Sequence, residues 1–507
     1  MGLLLNPHTN QLLLLGTVLA ALTFVSLRIR RYIIRRNLAR RHGCQAPPGV
    51  NKDPFLAIDQ IWASVRYFRA HNSLEKNEER YYLYGNTYAW KVLFGRYRVF
   101  TMEPENVKSI LSTNFKDWGL GHRLQHFEPL LGKGIFDTDG DHWATSRALL
   151  RPSFNRDQVA DLAMFEDLIP DLFARIPRDG VTVVDLQDLF FRYTIDSATE
   201  FLFGQSVGSL QMDQNELGFA QAFNYAQEAI TMRFVLGPLG RLLPHNKADK
   251  CYRLCRDFAE RFVNEAVQAA QSKGADEETK HQKYIFSHEL ARRTSDKRRI
   301  LDELMNVLLA GRDTTAGLLS NMFFVLAKHP AIWDKLRQEV ATLEGRLPTY
   351  EELRNLKYLR CCMNESLRLH PVVPINGRIA LSDTVLPRGG GKDGRSPVFM
   401  PKGSSVEYNV YAMHRRKDIY GPDADVFRPE RWENGQLQPR WEYLPFNGGP
   451  RICLGQQYAL TEAGYVTVRM AQEFRTLKSE DPGPWEEALT LTLCSRNGTR
   501  VSVTPVE

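Results

Sequence analysis

Apolar residues recur at steps of three and four along most of the chain, which is the spacing of one face of an α-helix. This pattern predicts helices at residues 165–176, 186–203, 217–232, 248–270, 284–309 and 458–474. Short runs rich in β-branched and aromatic residues predict strands at residues 88–94, 99–101, 398–400, 405–410 and 490–493. The order of these elements does not suit an alternating βαβ sheet. We therefore expect a mainly α fold with a small β-rich lobe.

The first fifty residues differ from the rest in charge and hydropathy. An uncharged apolar run of 16 residues covers positions 12–27, and seven arginines follow between positions 28 and 41. A cleaved signal peptide carries its positive charges before the apolar run, so this order favours a membrane anchor with the body on the cytoplasmic side. A buried core helix is the alternative for the run. We expect a lumenal N-terminus at 1–11, a transmembrane anchor at 12–27, a basic juxtamembrane segment with a Pro-rich elbow at 28–49, and one large domain at 50–507.

Charge and cysteine content narrow the function classes. The formal net charge of +7 equals the seven arginines of the juxtamembrane segment, so the charges of the remaining chain balance. A nucleic-acid surface would spread Lys and Arg over the folded body, and no nucleic-acid partner is expected. The seven cysteines are scattered, without a CxxC pair. This excludes a disulfide framework and suits a body in the reducing cytosol.

Two glycine motifs lack the context that their chemistry needs. Residues 389–394 satisfy GxGxxG but lead into Ser-Pro rather than into a helix, so they predict a loop and not a dinucleotide site. Residues 204–208 satisfy GxSxG but follow a helical segment, where a nucleophile elbow needs a strand. Without a nucleotide site, any reducing equivalents must come from another protein.

The loop at residues 446–455, FNGGPRICLG, carries the strongest chemical signal. Its cysteine, Cys453, precedes a predicted helix, where backbone N–H groups and the helix dipole favour a thiolate and metal binding. Gly455 leaves space for the sulfur, Phe446 can shield it from water, and Arg451 offers a cation to an anionic group. A thiolate, a flat partner and carboxylates together describe haem held by an axial cysteine. A buried structural cysteine on a Gly-rich turn is the alternative.

This loop resembles the cytochrome P-450 superfamily, because it fits the FxxGxRxCxG signature at every defined position. Other signatures of that family follow in the right order from about residue 50 to the C-terminus. The resemblance implies a cytochrome P-450 fold with heme b between the Cys453 loop and the helix that carries Asp313 and Thr314. It also implies that Cys453 is the axial iron ligand.

The motif at residues 310–315, AGRDTT, lies inside an otherwise apolar helical run. Gly and Thr in a helix interior cost stability, while small residues leave room for a ligand and Thr314 can bond back to the backbone. A close crossing of two helices is the alternative explanation. The resemblance implies that Asp313 and Thr314 form the proton-delivery pair for O–O bond cleavage.

Further motifs carry charge at helical spacing. Glu365 and Arg368 lie three apart and can pair, which by default indicates a surface ion pair. The resemblance implies instead a buried structural network completed by Arg431.

Trp143 and Arg147 lie four apart and would project from one helix face as hydrogen-bond donors suited to a carboxylate. The resemblance implies that both contact the haem propionates, together with Arg378 and Arg451.

The resemblance implies a membrane-bound monooxygenase of the endoplasmic reticulum with a single span. Its electrons would come from NADPH through a separate flavoprotein reductase, and its substrate would be an apolar small molecule taken from membrane lipid. Residues 191–204, 386–397, 411–421 and 446–463 resemble the fungal alkane-assimilating branch, which hydroxylates n-alkanes and fatty acids at or near the terminal carbon. Two alternatives remain open: oxidation of a fungal polyketide or related secondary metabolite, and a reductase-independent haem-thiolate isomerase.

Overall fold

The structure is a computed structural model that describes residues 7–53, 57–92, 96–155, 160–212, 218–236, 245–272, 284–435 and 437–506. Its α-helices span Pro7–Arg41, Ile58–Arg69, Ser73–Tyr84, Pro104–Lys108, Arg123–Leu131, Gly140–Leu150, Ala163–Glu166, Ile169–Ala174, Leu186–Phe203, Phe219–Leu236, Asn246–Ser272, Phe286–Arg293, Lys297–Lys328, Pro330–Val340, Tyr350–Asn355, Lys357–Leu369, Val410–Met413, Lys417–Tyr420 and Gln456–Glu473. The expected fold class, mainly α with a small β-rich lobe, is confirmed.

The strands are β1 Thr87–Val92, β2 Arg96–Thr101, β3 Trp118–Gly119, β4 Val184–Asp185, β5 Ile375–Ala380, β6 Thr384–Gly390, β7 Ser396–Met400, β8 Ser405–Asn409, β9 Phe474–Ser479, β10 Glu487–Leu489, β11 Leu493–Ser495 and β12 Arg500–Pro505. The largest sheet has the order β1-β2-β8-β5-β3, in which β2 and β8 run parallel. Smaller sheets pair β4-β12-β9, β6-β7 and β10-β11. The main sheet therefore joins strands from both ends of the body.

The helix Leu186–Phe203 has the predicted bounds, because both of its ends carry local stop signals. The side chain of Asp185 accepts a hydrogen bond from the Gln187 N–H at the N-terminus. At the C-terminus Gly204 adopts φ 75°, a left-handed conformation that glycine takes without steric cost. Sequence signals at both ends therefore suffice to define this helix.

Three predicted elements are wrong in detail. The run at 284–309 divides into Phe286–Arg293 and Lys297–Lys328, because Asp296 caps a new helix by accepting from the Arg299 N–H. The run at 165–176 divides into Ala163–Glu166 and Ile169–Ala174. The predicted strand at 490–493 is mainly the turn between β10 and β11.

The helix Lys297–Lys328, called the central helix below, runs through the main hydrophobic core. It packs against Leu186–Phe203, Asn246–Ser272 and Gln456–Glu473. Most of its residues between positions 300 and 327 are buried. Such burial on nearly every face is typical of a helix in the middle of a large domain.

The N-terminal helix Pro7–Arg41 exposes its apolar residues, among them Leu14, Leu19 and Phe24. It contacts the body through an ion pair of 3.0 Å between Arg35 and Asp383. Among the described residues, no helix combines the length and apolarity needed to cross a membrane. Residues 1–6, part of the predicted lumenal segment 1–11, lie outside the described residues.

Candidate active site

The Cys453 loop is held in place by its own backbone and by a close neighbour. Gly449 has φ +65°, and a Cβ added there would lie 1.9 Å from the Leu111 carbonyl oxygen, so this position requires glycine. The Cys453 N–H donates to the Phe446 carbonyl at 3.0 Å. The next helix, Gln456–Glu473, begins directly after Gly455. The sequence thus places the cysteine at a helix start, as predicted.

The Cys453 sulfur is accessible although protein surrounds it. Burial raises the pKa of the Cys453 thiol, whereas the Gly455 N–H and the positive charge of Arg147 lower it. The groups predicted to stabilise a thiolate are therefore present. Their effect on the pKa of Cys453 is smaller than the effect of burial by the surrounding protein. Gly455 itself has space for a Cβ, which would lie 3.7 Å from the Phe154 ring. Steric contact with the described residues therefore does not require glycine at position 455.

The predicted pair Trp143 and Arg147 both contact the Cys453 loop. The Arg451 guanidinium lies 4.4 Å from the centroid of the Trp143 ring. Arg147 Nη1 donates to the Ile452 carbonyl oxygen at 3.0 Å. Since both side chains come from the helix Gly140–Leu150, this helix positions two donors beside the cysteine.

Arg378 lies near the Cys453 loop and shares a hydrogen-bond acceptor with Arg123, a residue that the sequence analysis did not single out. Arg378 Nη1 and Arg123 Nη2 both donate to Asn376 Oδ1, at 3.0 and 2.8 Å. Burial, with the charges of Arg378 and Arg451, lowers the pKa of Arg123 to about 10. Nothing local in the sequence marks Arg123, because its neighbours come from β5 and from the Cys453 loop.

Positive charge exceeds negative charge in this group. Burial and the neighbouring arginines lower the pKa of Arg451 to about 10, although Asp139, at 2.6 Å, opposes the shift. Among the described residues, that contact is the one ion pair made by Arg123, Arg147, Arg378 and Arg451. Crowded cations with a single acid are suited to bind a ligand with two carboxylates. An accessible cysteine beside such cations fits haem.

The central helix carries one accessible stripe. Between positions 300 and 327, Val307, Ala310, Gly311 and Thr314 are the residues that are not buried. Their spacing of three and four puts them on one face. Thr314 Oγ1 donates to the Ala310 carbonyl at 2.7 Å, as expected for a threonine in a helix interior. Because the other faces of the helix are packed, the stripe is its accessible face between positions 300 and 327.

Asp313 lies beside Thr314 but has a different environment. It is buried and makes an ion pair of 2.8 Å with Arg312, whose guanidinium also lies 5.0 Å from the centroid of the Phe191 ring. Burial raises the pKa of Asp313, while Arg312 and a hydrogen bond with Gln227 lower it. Adjacent helix residues do not ordinarily face each other, so spacing alone does not predict the pair of Arg312 and Asp313. Thr314 therefore lies on the accessible stripe, whereas the Asp313 carboxylate lies in the helix packing.

Glu365, Arg368 and Arg431 form one buried network. Glu365 accepts from Arg368 at 2.8 and 2.9 Å, and from Arg431 Nε, the Trp432 indole and the Arg428 N–H at 2.9 Å each. Burial raises the pKa of Glu365, but these donors outweigh it and hold the pKa below its ordinary value. Every acceptor oxygen of the carboxylate is used, which is the arrangement of a structural ion network.

The two glycine motifs have the structures that their context predicted. Residues 389–394 form the end of β6 and a turn into β7, with no helix after them. Residues 204–208 follow the end of the helix Leu186–Phe203. Neither geometry presents a phosphate-binding helix N-terminus or a nucleophile elbow.

Comparison with known proteins gives a consistent result. The family model for cytochrome P450 matches residues 60–499. Cytochrome P450 monooxygenase himC of Aspergillus japonicus is 53% identical over 457 residues, which cover 89% of this chain and 82% of the relative. Cytochrome P450 monooxygenase fsdH of Fusarium heterosporum is 45% identical over 494 residues, covering 95% and 86%. Cytochrome P450 52A12 of Debaryomyces hansenii is 42% identical over 511 residues, covering 96% and 97%.

Proposed function

The chain belongs to the cytochrome P450 monooxygenase family, and from this premise we propose that it hydroxylates an aliphatic C–H bond of a long-chain substrate. The substrate class is an n-alkane or fatty acid, attacked at or near its terminal carbon. The observation that carries the proposal is an accessible Cys453 near a group of four arginines. Only one of them, Arg451, has an acidic partner among the described residues. That donor set matches one thiolate-bound iron and two propionates.

Each residue of the site has a distinct task in this proposal. Cys453 would bind the iron, and Arg147, Arg378 and Arg451 would bind the propionates, with Trp143 holding Arg451. Phe446 would limit water at the sulfur, and Gly455 would supply its N–H. Haem activates dioxygen when it receives two electrons, which NADPH provides through a separate flavoprotein reductase.

Thr314 and Asp313 are proposed to move protons. The Thr314 hydroxyl lies on the accessible stripe and donates its one proton to the Ala310 carbonyl, so its oxygen can accept a hydrogen bond on that face. Burial favours the protonated form of Asp313, whereas the ion pair with Arg312 favours the carboxylate. The ion pair therefore sets how readily the relay operates.

The aliphatic substrate class has two supports. The accessible stripe offers apolar or small surface at Val307, Ala310 and Gly311, with one hydroxyl at Thr314, so it favours a chain without polar groups. The relative from Debaryomyces hansenii, at 42% identity over nearly both full lengths, is a member of the 52A group of P450s, consistent with the alkane-assimilating resemblance.

A second candidate is the tailoring of a fungal secondary metabolite such as a polyketide. The relatives from Aspergillus japonicus and Fusarium heterosporum share more of their aligned sequence with this chain, 53% and 45%, than the Debaryomyces hansenii relative does. The same apolar stripe would accept an aliphatic part of such a molecule. Product analysis separates the two candidates.

We also propose attachment to the endoplasmic reticulum membrane by residues 12–27, with the body on the cytoplasmic side. Leu15, Leu19 and Leu22 are more than half exposed, at 71%, 66% and 61%, so no part of the described chain covers them. Apolar surface of this extent is stable in lipid rather than in water. Arginines after the apolar run fix the orientation.

The test combines one variant with one substrate panel. Purified Cys453→Ser should lose the haem-thiolate Soret band and its oxidation rate, whereas Cys44→Ser, a thiol in the N-terminal segment, should keep both. Membranes with reductase should then convert alkanes or fatty acids to terminal alcohols only when NADPH is present. An unchanged Soret band in Cys453→Ser contradicts the site, and turnover without reductant would favour an isomerase.

A further inference from the structure

Glu462 is a buried acid that the proposed relay does not use. It lies in the helix Gln456–Glu473, which starts directly after the Cys453 loop, and it is 1% exposed. Its carboxyl group faces the hydroxyls of Ser197, from the helix Leu186–Phe203, and of Thr315, from the central helix. It therefore sits where three helices around the site meet.

Glu462 has no cationic partner among the residues that the structure describes. Burial raises its pKa to about 8, and the Ser197 and Thr315 hydroxyls oppose the shift. The titratable groups beside it among the described residues are Tyr193 and Tyr458, whose own pKa values are raised well above 10 by burial and by the charge that Glu462 carries when ionised. The central helix contributes Thr315 and no charge to this contact.

Two oxygen atoms in this cluster lack partners. Within the described part of the chain, Glu462 Oε1 and Thr315 Oγ1 are both buried without a hydrogen bond. Ser197 Oγ, by contrast, lies 3.2 Å from the Tyr458 hydroxyl. A neutral carboxylic acid can donate its proton to Thr315 Oγ1, directly or through one buried water, and so satisfy both atoms. A carboxylate at this place would lack any compensating charge.

Thr315 follows Thr314 on the central helix, so a hydrogen bond from Glu462 to Thr315 would hold this part of the stripe in place. We propose that Glu462 is a positioning residue for the oxidation: its protonated carboxyl group ties the helix after Cys453 to Thr315 and thereby sets where Thr314 points. This inference rests on the proposed function. Ionisation of Glu462 leaves an uncompensated charge between the helices and loosens this tie.

The activity test compares product formed per NADPH consumed between pH 6 and 9, in the haem-loaded protein with reductase. The wild type should lose coupling with a midpoint near pH 8, and about tenfold by pH 9 if only the protonated form is competent. Glu462→Gln keeps the shape and a donor but cannot ionise, so its coupling should stay constant. Asp196→Asn, which removes another buried acid, with a pKa of about 6, should retain the wild-type alkaline loss.

A second readout does not depend on turnover. Infrared titration of the resting haem-loaded protein should show a carboxylic C=O band that disappears near pH 8 and is missing in Glu462→Gln. Absence of this band from the wild type, or an alkaline loss of coupling that persists in Glu462→Gln, overturns the inference. If the band titrates as expected but no substrate yields NADPH-dependent product, the proposed function fails, and the positioning role fails with it.

Discussion

Glu365 and Glu462 are both buried glutamates in helices of the body, at 0% and 1% exposure, yet their surroundings are opposite. Arg368 and Arg431 contact Glu365 directly and hold its pKa below the ordinary value. Hydroxyl groups surround Glu462, and burial raises its pKa to about 8. The same side chain is therefore a fixed charge in one place and a neutral acid near physiological pH in the other. Partner chemistry, and not burial alone, decides this difference.

The largest effect is expected at the charged site. Glu365→Gln strands Arg368 and Arg431 without a counterion and should lower the free energy of unfolding by about 3–5 kcal/mol at neutral pH. Because the folded pKa of Glu365 is depressed, its stabilisation is present above the ordinary pKa of about 4.3 and is lost as the pH falls through the folded value. Urea unfolding at pH 7 and pH 4 measures this. Glu433→Gln, at an exposed pair with Lys335, should cost less than about 1 kcal/mol, and an equal cost at both sites would refute the contrast.

The second effect concerns Glu462, whose contribution to stability changes with pH in the opposite direction to that of Glu365. A folded pKa of about 8 means that the folded protein holds a proton that the unfolded chain releases above about pH 4.3. Wild-type stability relative to Glu462→Gln should therefore fall by about 1.4 kcal/mol per pH unit up to pH 8 and then stay level. Urea unfolding of both proteins at pH 6, 7, 8 and 9 tests this. A difference independent of pH would mean that Glu462 is ionised throughout.

A smaller effect separates charge from geometry at the Glu365 site. Arg431→Lys keeps the positive charge but loses hydrogen bonds to the carbonyl oxygens of Tyr420, Asp423 and Val426. A loss of about 1–2 kcal/mol in the free energy of unfolding is expected. Arg428→Lys, whose side chain is half exposed, serves as the control. No loss in Arg431→Lys would show that charge alone stabilises the network.

The smallest effect concerns the hydroxyl beside Glu462. Thr315→Val removes the hydroxyl that faces the Glu462 carboxyl group, so the infrared midpoint should move away from pH 8 by about one unit or less. Thr467→Val should leave the midpoint unchanged, since the Thr467 hydroxyl donates to the Ala463 carbonyl of its own helix. A midpoint that stays at pH 8 in Thr315→Val would contradict the contact.

Local signals made part of this structure predictable. Asp185 and Gly204 mark both ends of Leu186–Phe203, and the loop motif located Cys453 and Arg451 beside the helix start. The break before the central helix was also signalled, because Asp296 is a helix-capping residue, but the continuing apolar period concealed it.

Long-range contacts account for what the sequence could not supply. Arg123 joins the arginine group through Asn376, which is remote in the chain. Glu462 reads as an ordinary helix glutamate until the neighbouring helices are in place to bury it. No cation among the described residues pairs with Glu462, because none lies where the three helices meet. The residue spacing within any one of these helices does not predict this.

The ion pair between Arg35 and Asp383 joins the N-terminal helix to the body. Its two side chains remain 35% and 27% exposed, so dissolved ions reach both partners. Added salt weakens such an exposed contact, because dissolved ions screen charges over a Debye length of roughly 8 Å at physiological ionic strength. The position of the N-terminal helix relative to the body should therefore depend on ionic strength.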